Sequence, residues 1–241
     1  VVRQQDRSVS GLRIPRTSKT RQDWRLPRLA SWKSGSWSVD LDGEYDDRNL
    51  YLSYTVHEPS PWVNKGVDPF LMFKTGDCVD FQLATKPFKP GTRKAGDIGD
   101  IRLLVSPGAT APGTNNVVLY RHRIPADEKT AARPMDFNSP IRKYQVDDVK
   151  TLDVNTASVT VESSRYAVRL TVPFKDLGLD GQSVADQTFR GDFGVVFGDR
   201  DGQINLSRVY WSNKETGLVS DVPGEMMPEP DKWGTIHFDD K

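Results

Sequence analysis

Asn49-Leu50-Tyr51-Leu52-Ser53-Tyr54-Thr55-Val56-His57 decides the fold class. Leu50, Leu52, Tyr54 and Val56 fall on one side of a two-residue period, with Tyr51, Ser53 and Thr55 on the other. Successive side chains of a strand point to opposite faces, and β-branched and aromatic residues suit a pleated surface, so the period belongs to a strand with one buried face. The preceding Asp46-Asp47-Arg48-Asn49 supplies short polar turn residues and makes Ser36 to Tyr45 the other arm of a hairpin.

The same alternation recurs outward from this stretch. Val79, Phe81 and Leu83 oppose Asp80 and Gln82, and Val168, Leu170 and Val172 oppose Arg169 and Thr171. Further strands are expected over Asp100 to Ser106, Asn115 to His122, Ala157 to Ser163, Gly191 to Gly198, Ser207 to Ser212 and Gly234 to Phe238, about nine to eleven in all. With 16 Pro and 19 Gly spread through the chain, helix is limited to a turn near Pro173 to Gly178. Two packed antiparallel sheets hide such one-sided strands, which predicts an all-β, jelly-roll-like sandwich. Its long loops, Glu58 to Gly76, Lys86 to Asp97, Ala126 to Lys143 and Asn213 to Lys232, exceed hairpin length, and loops of that size commonly bind or cap something.

Residues 1–35 read as a basic lead-in and 36–241 as one sandwich domain. The first 28 residues hold eight basic side chains against two acidic ones, but Trp24, Ile14-Pro15 and Leu26-Pro27 interrupt the charge, which suits an extended segment packing on the domain. A protein-interaction arm that engages the rest of a parent chain is the other reading of this segment. Across all 241 residues, 33 Lys and Arg balance 33 Asp and Glu, which argues against a dedicated nucleic-acid binder. The richest apolar runs, Ile101 to Val105 and Val195 to Phe197, fall far short of the ~20 residues of a membrane span. A lone Cys78 excludes an intrachain disulfide and a structural zinc cluster. The start Val1-Val2-Arg3 reads as a processed product or a piece of something longer.

Several segments in order carry a resemblance: Asp47-x-Asn49-Leu50-Tyr51-Leu52, Phe73-Lys74-Thr75-Gly76-Asp77-x-Val79-Asp80-Phe81, Tyr166 to Phe174, Gly191-Asp192-Phe193-Gly194, Tyr210-Trp211-Ser212-Asn213 and Trp233-Gly234-Thr235-Ile236. From Ser36 to Phe238 the chain resembles family 9 carbohydrate-binding modules and their DOMON-like sandwich relatives. The resemblance implies a sandwich that grips a terminal sugar between two tryptophans, with polar side chains around its hydroxyls and a structural calcium. It departs from the pattern at Glu58, which follows His57, at Arg169, which replaces an upstream carboxylate, and after Pro173, where no Trp follows.

Sugar rings present apolar C–H faces and a rim of hydroxyls, so a site for them needs flat aromatics edged by amides, carboxylates and guanidinium groups. Trp62 in a loop and Trp211 at a strand end are the candidate platforms, although either ring can instead be packing. Trp233 reads as a core plug, and Trp32 and Trp37 as half-buried. The rim candidates are Asn64, Asp80, Gln82, Arg102 and Asn213; Asp80 and Gln82 can equally occupy a solvated sheet face. Asp199, Asp201 and Asn205 place oxygen ligands at alternate positions as Ca²⁺ requires, while an Asp-Gly hairpin turn explains them as well. The acidic set Asp42, Glu44, Asp46 and Asp47 offers the same choice.

His57, His122 and His237 are widely spaced, and with Met72, Met135, Met226 and Met227 they keep a haem-binding, electron-transfer alternative open. Asp77 and Asp80 stand three apart on a strand and so face opposite ways, which is wrong for a glycosidase pair, and no nucleophile elbow, phosphate loop or dinucleotide fingerprint occurs. The sequence therefore predicts a non-catalytic module that binds an oligo- or polysaccharide. Its place is a larger exported bacterial protein, outside the cytoplasm, beside that protein's other domains.

Overall fold

The computed structural model describes residues 10–17, 24–59, 62–89, 93–108, 113–179, 183–216 and 221–240. The expected strands form, with the bounds β3 Trp37–Tyr45, β4 Asn49–His57, β5 Cys78–Ala84, β6 Asp100–Pro107, β7 Asn115–Arg121, β11 Ala157–Glu162, β12 Arg165–Pro173, β13 Thr188–Gly198, β14 Asn205–Tyr210 and β15 Gly234–Phe238. Their alternation has the expected cause: Leu50, Leu52, Tyr54 and Val56 of β4 face Val79, Phe81 and Leu83 of β5 across one core that also holds Val168, Leu170 and Val172.

With β1 at Gly11–Ile14, β2 at Arg28–Ser34 and β10 at Asp148–Thr151, five strands make one sheet, in the order β11-β12-β4-β3-β2, and eight make the other, seven of them in the order β1-β15-β13-β5-β6-β7-β10 and β14 beside β13. The eleven-residue β13 has two partners end to end on one side, β15 along its first half and β14 along its second. All pairs are antiparallel except β1 with β15.

Two strands come from the basic lead-in. β1, Gly11–Ile14, adds to the edge of the larger sheet, and β2, Arg28–Ser34, pairs with β3, so Leu12, Ile14 and Trp32 enter the core. Its cations are matched locally: Arg13 pairs with Asp239, Arg16 with Asp47 and Asp240, and Arg28 with Asp40 and Asp42. Arg3, Arg7, Lys19 and Arg21 lie outside the described residues.

The larger sheet is covered on both faces. Its outer face carries Cys78, Leu104, Val118, Tyr120 and Val196, which form a second apolar cluster with Phe73, Phe137, Tyr144, Val146 and Met226. The cover consists of residues 68–74, the hairpin of β8 (Met135–Asn138) and β9 (Lys143–Val146), and the single turn of α1 (Val222–Met226). The connecting β10, Asp148–Thr151, extends the sheet beyond β7. The two long segments expected as loops therefore hold a hairpin and a helical turn, and Asp80 and Gln82 are buried rather than on a solvated face.

Candidate functional site

Strand parity sends Asp80 and Gln82 of β5, Arg102 of β6, Asp192 of β13 and Arg208 and Tyr210 of β14 to the covered outer face. Arg102 Nε and Nη2 donate to Asp80 Oδ2 at 3.0 and 2.7 Å, and the Tyr210 hydroxyl donates to the same oxygen. Arg208 Nη2 and Gln82 Nε2 donate in turn to the Tyr210 oxygen at 3.1 and 3.4 Å. Asp80 is 0% and Arg102 1% exposed, so this is a fully desolvated ion pair that persists only because each charge finds the other. Burial alone works against the Arg102 charge, but neighbouring Asp80 holds its pKa above the ordinary value. Burial likewise pushes the Tyr210 phenol up, so it remains a donor.

Helix α1 is fastened over this network by Glu225. Its carbonyl accepts from Arg102 Nη1 at 2.9 Å and from Arg208 Nη2 at 3.4 Å, and its Oε1 accepts from Lys74 Nζ at 2.6 Å. The other oxygen, Oε2, lies 3.9 Å from Arg208 Nη1 and takes no hydrogen bond.

Beside the helix a cavity of about 230 Å³ opens between the sheet and residues 213–216 and 221–233, lined by Gln82, Asp192, Asn213, Asp221, Glu229 and Trp233 among others. Its polar groups are set by backbone. Asp192 Oδ1 accepts from the amides of Phe193 and Ser212, and Oδ2 from that of Asn213, at 2.8 to 2.9 Å. Burial pushes the Asp192 carboxyl up to about 7 against the pull of these three amides. Asn213 Nδ2 donates to Glu229 Oε2 at 3.0 Å, which fixes the amide at the wall. Asp221, 4% exposed, has its Oδ2 2.7 Å from Arg142 Nε in a geometry that pairs charges without an aligned hydrogen bond. Both Asp221 oxygens, Glu225 Oε2 and Arg208 Nε thus lack hydrogen-bond partners, at a wall carrying five carboxylates against Arg142 and Arg208. Buried polar groups in folded proteins are almost always satisfied, so these atoms suit a ligand rich in groups that both donate and accept.

Of the sequence candidates, Gln82 and Asn213 line this cavity, and Asp80 and Arg102 lie in the network beneath it. Trp211 does not present a platform. It is 9% exposed and belongs to the inner core, with its ring edge-on to Phe193 at 6.0 Å and so close to Gly234 that a Cβ there would stand 2.4 Å from it. A ring buried to this extent offers little surface for a pyranose to stack on. Trp62 is half-buried at the far edge of that core, 4.8 Å from the Tyr166 ring, with Nε1 donating to Asn115 Oδ1 at 3.2 Å; its φ of +55° is rare for a bulky residue. No ring contact joins the two tryptophans among the described residues. Asn64 braces its own loop, donating to the Met72 and Asp77 carbonyls and accepting from Gly66 N and the Thr75 hydroxyl.

The residues expected around calcium do not fit a hard cation. Asp199 Oδ1 already accepts from the Gln203 and Ile204 amides, Asn205 Nδ2 donates to Phe73 O, and Asp201 is exposed. Asp46 likewise accepts from the Arg48 and Asn49 amides and the Tyr51 hydroxyl within its turn. Among the described residues no three His, Cys, Asp or Glu side chains are grouped to hold a metal. The histidines do not gather around a haem-sized space either. His57 is half-buried beside Asp40, His237 bonds Thr188, and His122 is buried against the Tyr144 hydroxyl, where desolvation lowers its pKa to about 3.

Two solved structures have this architecture. A family 9 carbohydrate-binding module from Caldicellulosiruptor kristjanssonii in complex with glucose is 10% identical, covers 96% of this chain and 97% of its own, and gives a TM-score of 0.52. A module of the same family and organism in complex with cellotriose is 11% identical over 96% of this chain and 95% of its own, at 0.51. The chain has the family 9 carbohydrate-binding module fold. At sequence level, no family model and no curated protein matches it. Asp192, Arg208, Tyr210, Asp221, Glu225 and Glu229 also line this candidate cavity and are residues that sequence reasoning missed. Only Asp192 carried a signal, as a carboxylate inside the otherwise apolar run Gly191 to Phe197.

Proposed function

We propose that the chain is a non-catalytic carbohydrate-binding domain of a larger exported bacterial protein, and that one sugar unit enters the outer-face cavity. The observation that carries this reading is the set of cavity-lining side chains with atoms that take no hydrogen bond among the described residues, Asp221 Oδ1 and Oδ2, Glu225 Oε2 and Arg208 Nε. Hydroxyls donate to carboxylates and accept from guanidinium, so a polyol ring carries the groups that these side chains need. The volume of about 230 Å³ lies below the range usual for drug-sized ligands, which suits a single ring rather than a buried chain. Recognition then rests on hydrogen bonds around the ring instead of a two-tryptophan clamp, with the buried Trp233 closing the cavity wall rather than stacking on the sugar. The fold shared with two sugar-bound modules agrees with this reading.

Isothermal titration of the chain against a panel of soluble neutral oligosaccharides tests it. Binding of at least one is expected, and Asp221→Asn, which keeps the shape and removes a charged acceptor, should weaken it by about 10- to 100-fold. No heat with any glycan, or full affinity in Asp221→Asn, refutes the proposal.

A further inference from the structure

Two residues along the same strands, the outer face holds a second and larger cavity of about 590 Å³. Where Gln82 and Asp192 line the first, Ala84 and Arg190 line the second, and Arg190 is paired opposite Ala84 in the sheet. At ~3.3 Å per residue the two floors are only ~7 Å apart along the strands. The divider is the segment around Pro230 and Trp233, whose carbonyls accept from Arg190 Nη1 at 3.3 and 2.6 Å.

The two cavities have opposite electrostatic character. The first carries five carboxylates against two arginines, whereas the second carries Lys86, Lys89, Arg93 and Arg190 against Asp97 and Asp100. Arg93 is matched by Asp100, which accepts from both Nη1 and Nη2, and Lys86 lies 4.0 Å from Asp97 at the exposed rim. Both acids are thereby engaged, and the remaining cations of the lining are Lys89 and Arg190. The Arg190 guanidinium lies over the Phe88 ring at 5.1 Å, so positive charge sits directly beside an aromatic floor. That floor is pinned, since Phe88 N donates to Thr188 O at 2.6 Å. Burial lowers the Arg190 pKa; Asp231 opposes this, and repulsion from Arg93 adds to it.

We infer that this second cavity takes a carboxylate-bearing sugar ring, so that the glycan recognised on the outer face is an acidic one containing hexuronate. The ring packs its C–H face against the part of Phe88 that Arg190 leaves uncovered, while its carboxylate meets Arg190 and Lys89. A carboxylate is repelled from the acidic first cavity and a neutral hydroxylated unit is not, so the pair of cavities sorts the units of one chain. The inference rests on the glycan reading of the first cavity, but its failure is separable from that reading's.

The test is titration of the chain with trigalacturonate and with neutral cellotriose at low and at high salt, comparing native protein with Arg190→Gln, Lys89→Gln and Asp221→Asn. Tighter binding of trigalacturonate that weakens with salt is expected, with about tenfold loss in Arg190→Gln or Lys89→Gln and no change for the neutral sugar. Lys89 is exposed, so its variant keeps the test valid if Arg190→Gln misfolds. Equal affinity for the two sugars, or full trigalacturonate affinity in Lys89→Gln, overturns the inference and leaves neutral-sugar binding intact. Trigalacturonate binding that depends on Lys89, together with cellotriose binding that is unchanged by Asp221→Asn, supports the second cavity and counts against the first.

Discussion

Replacing Trp211 by alanine separates a packed ring from a binding platform. The indole is 9% exposed, meets Phe193 edge-on at 6.0 Å and lies against Gly234, whose missing side chain makes room for it. An aromatic side chain buries roughly 150–250 Å², worth ~4–6 kcal/mol at about 25 cal/mol per Å², an upper bound because the unfolded chain already hides part of that area. Direct measurements on Trp and Phe truncations in cores give ~3–5 kcal/mol. A loss of about 4 kcal/mol in a domain of this size lowers Tm by roughly 8–16 °C. Differential scanning calorimetry reads the shift, and glycan titration well below the lowered Tm reads the site. The expected result is a large drop in Tm with affinity within about twofold of native, since the cavity floor is built from other residues. An unchanged Tm with a greater than about tenfold loss of affinity would refute the core assignment and restore the platform expected from sequence.

Arg102→Ala leaves Asp80 buried and unpaired, and should cost about 3–5 kcal/mol in denaturant unfolding; a loss below ~1 kcal/mol would mean that water reaches the pair. Asp192 gives a pH signature. Its folded pKa of about 7 lies above that of an ordinary carboxylate, so the folded state holds a proton the unfolded state has released. Its contribution to stability is therefore present at acid pH, declines as pH rises from about 4 to 7, and stays lost above that. Asp192→Asn should cancel this decline, so the Tm difference between native and variant, followed from pH 4 to 8, should move in the variant's favour as pH rises. A difference independent of pH would contradict the shift. His122, lowered to about 3, works in the opposite sense below pH 6.5, but it is common to both proteins and drops out of the comparison.

The sandwich was legible in sequence because its strands bury one face in a shared core, and a two-residue period records that directly in β4, β5 and β12. Parity also held the answer for Trp211: Val209 and Trp211 share the inner side, while Arg208 and Tyr210 share the outer. The loop-end position and the polar neighbour Asn213 pointed the other way. Polar alternation on β5 suggested a wet outer face at Asp80 and Gln82, because nothing local announces the cover. That cover is made of four-residue strands and a single helical turn containing Pro223 and Gly224, all too short for periodicity. It is held by contacts far apart in the chain, such as Lys74 with Glu225 and Arg102 with the Glu225 carbonyl. Asp80 and Arg102 were both picked as polar rim residues, but their pairing depends on the register of β5 against β6, which neither segment encodes alone.

Two-dimensional ¹H–¹⁵N NMR of the chain during titration with an oligosaccharide locates the sugar most directly. The Ser212 and Asn213 amides, which donate to Asp192, and the Trp233 indole at the cavity wall should shift with ligand, while the Trp62 indole, which donates to Asn115, should not. Shifts confined to the Trp62 indole and its loop, with the Ser212 and Asn213 amides unmoved at saturation, would contradict an outer-face site.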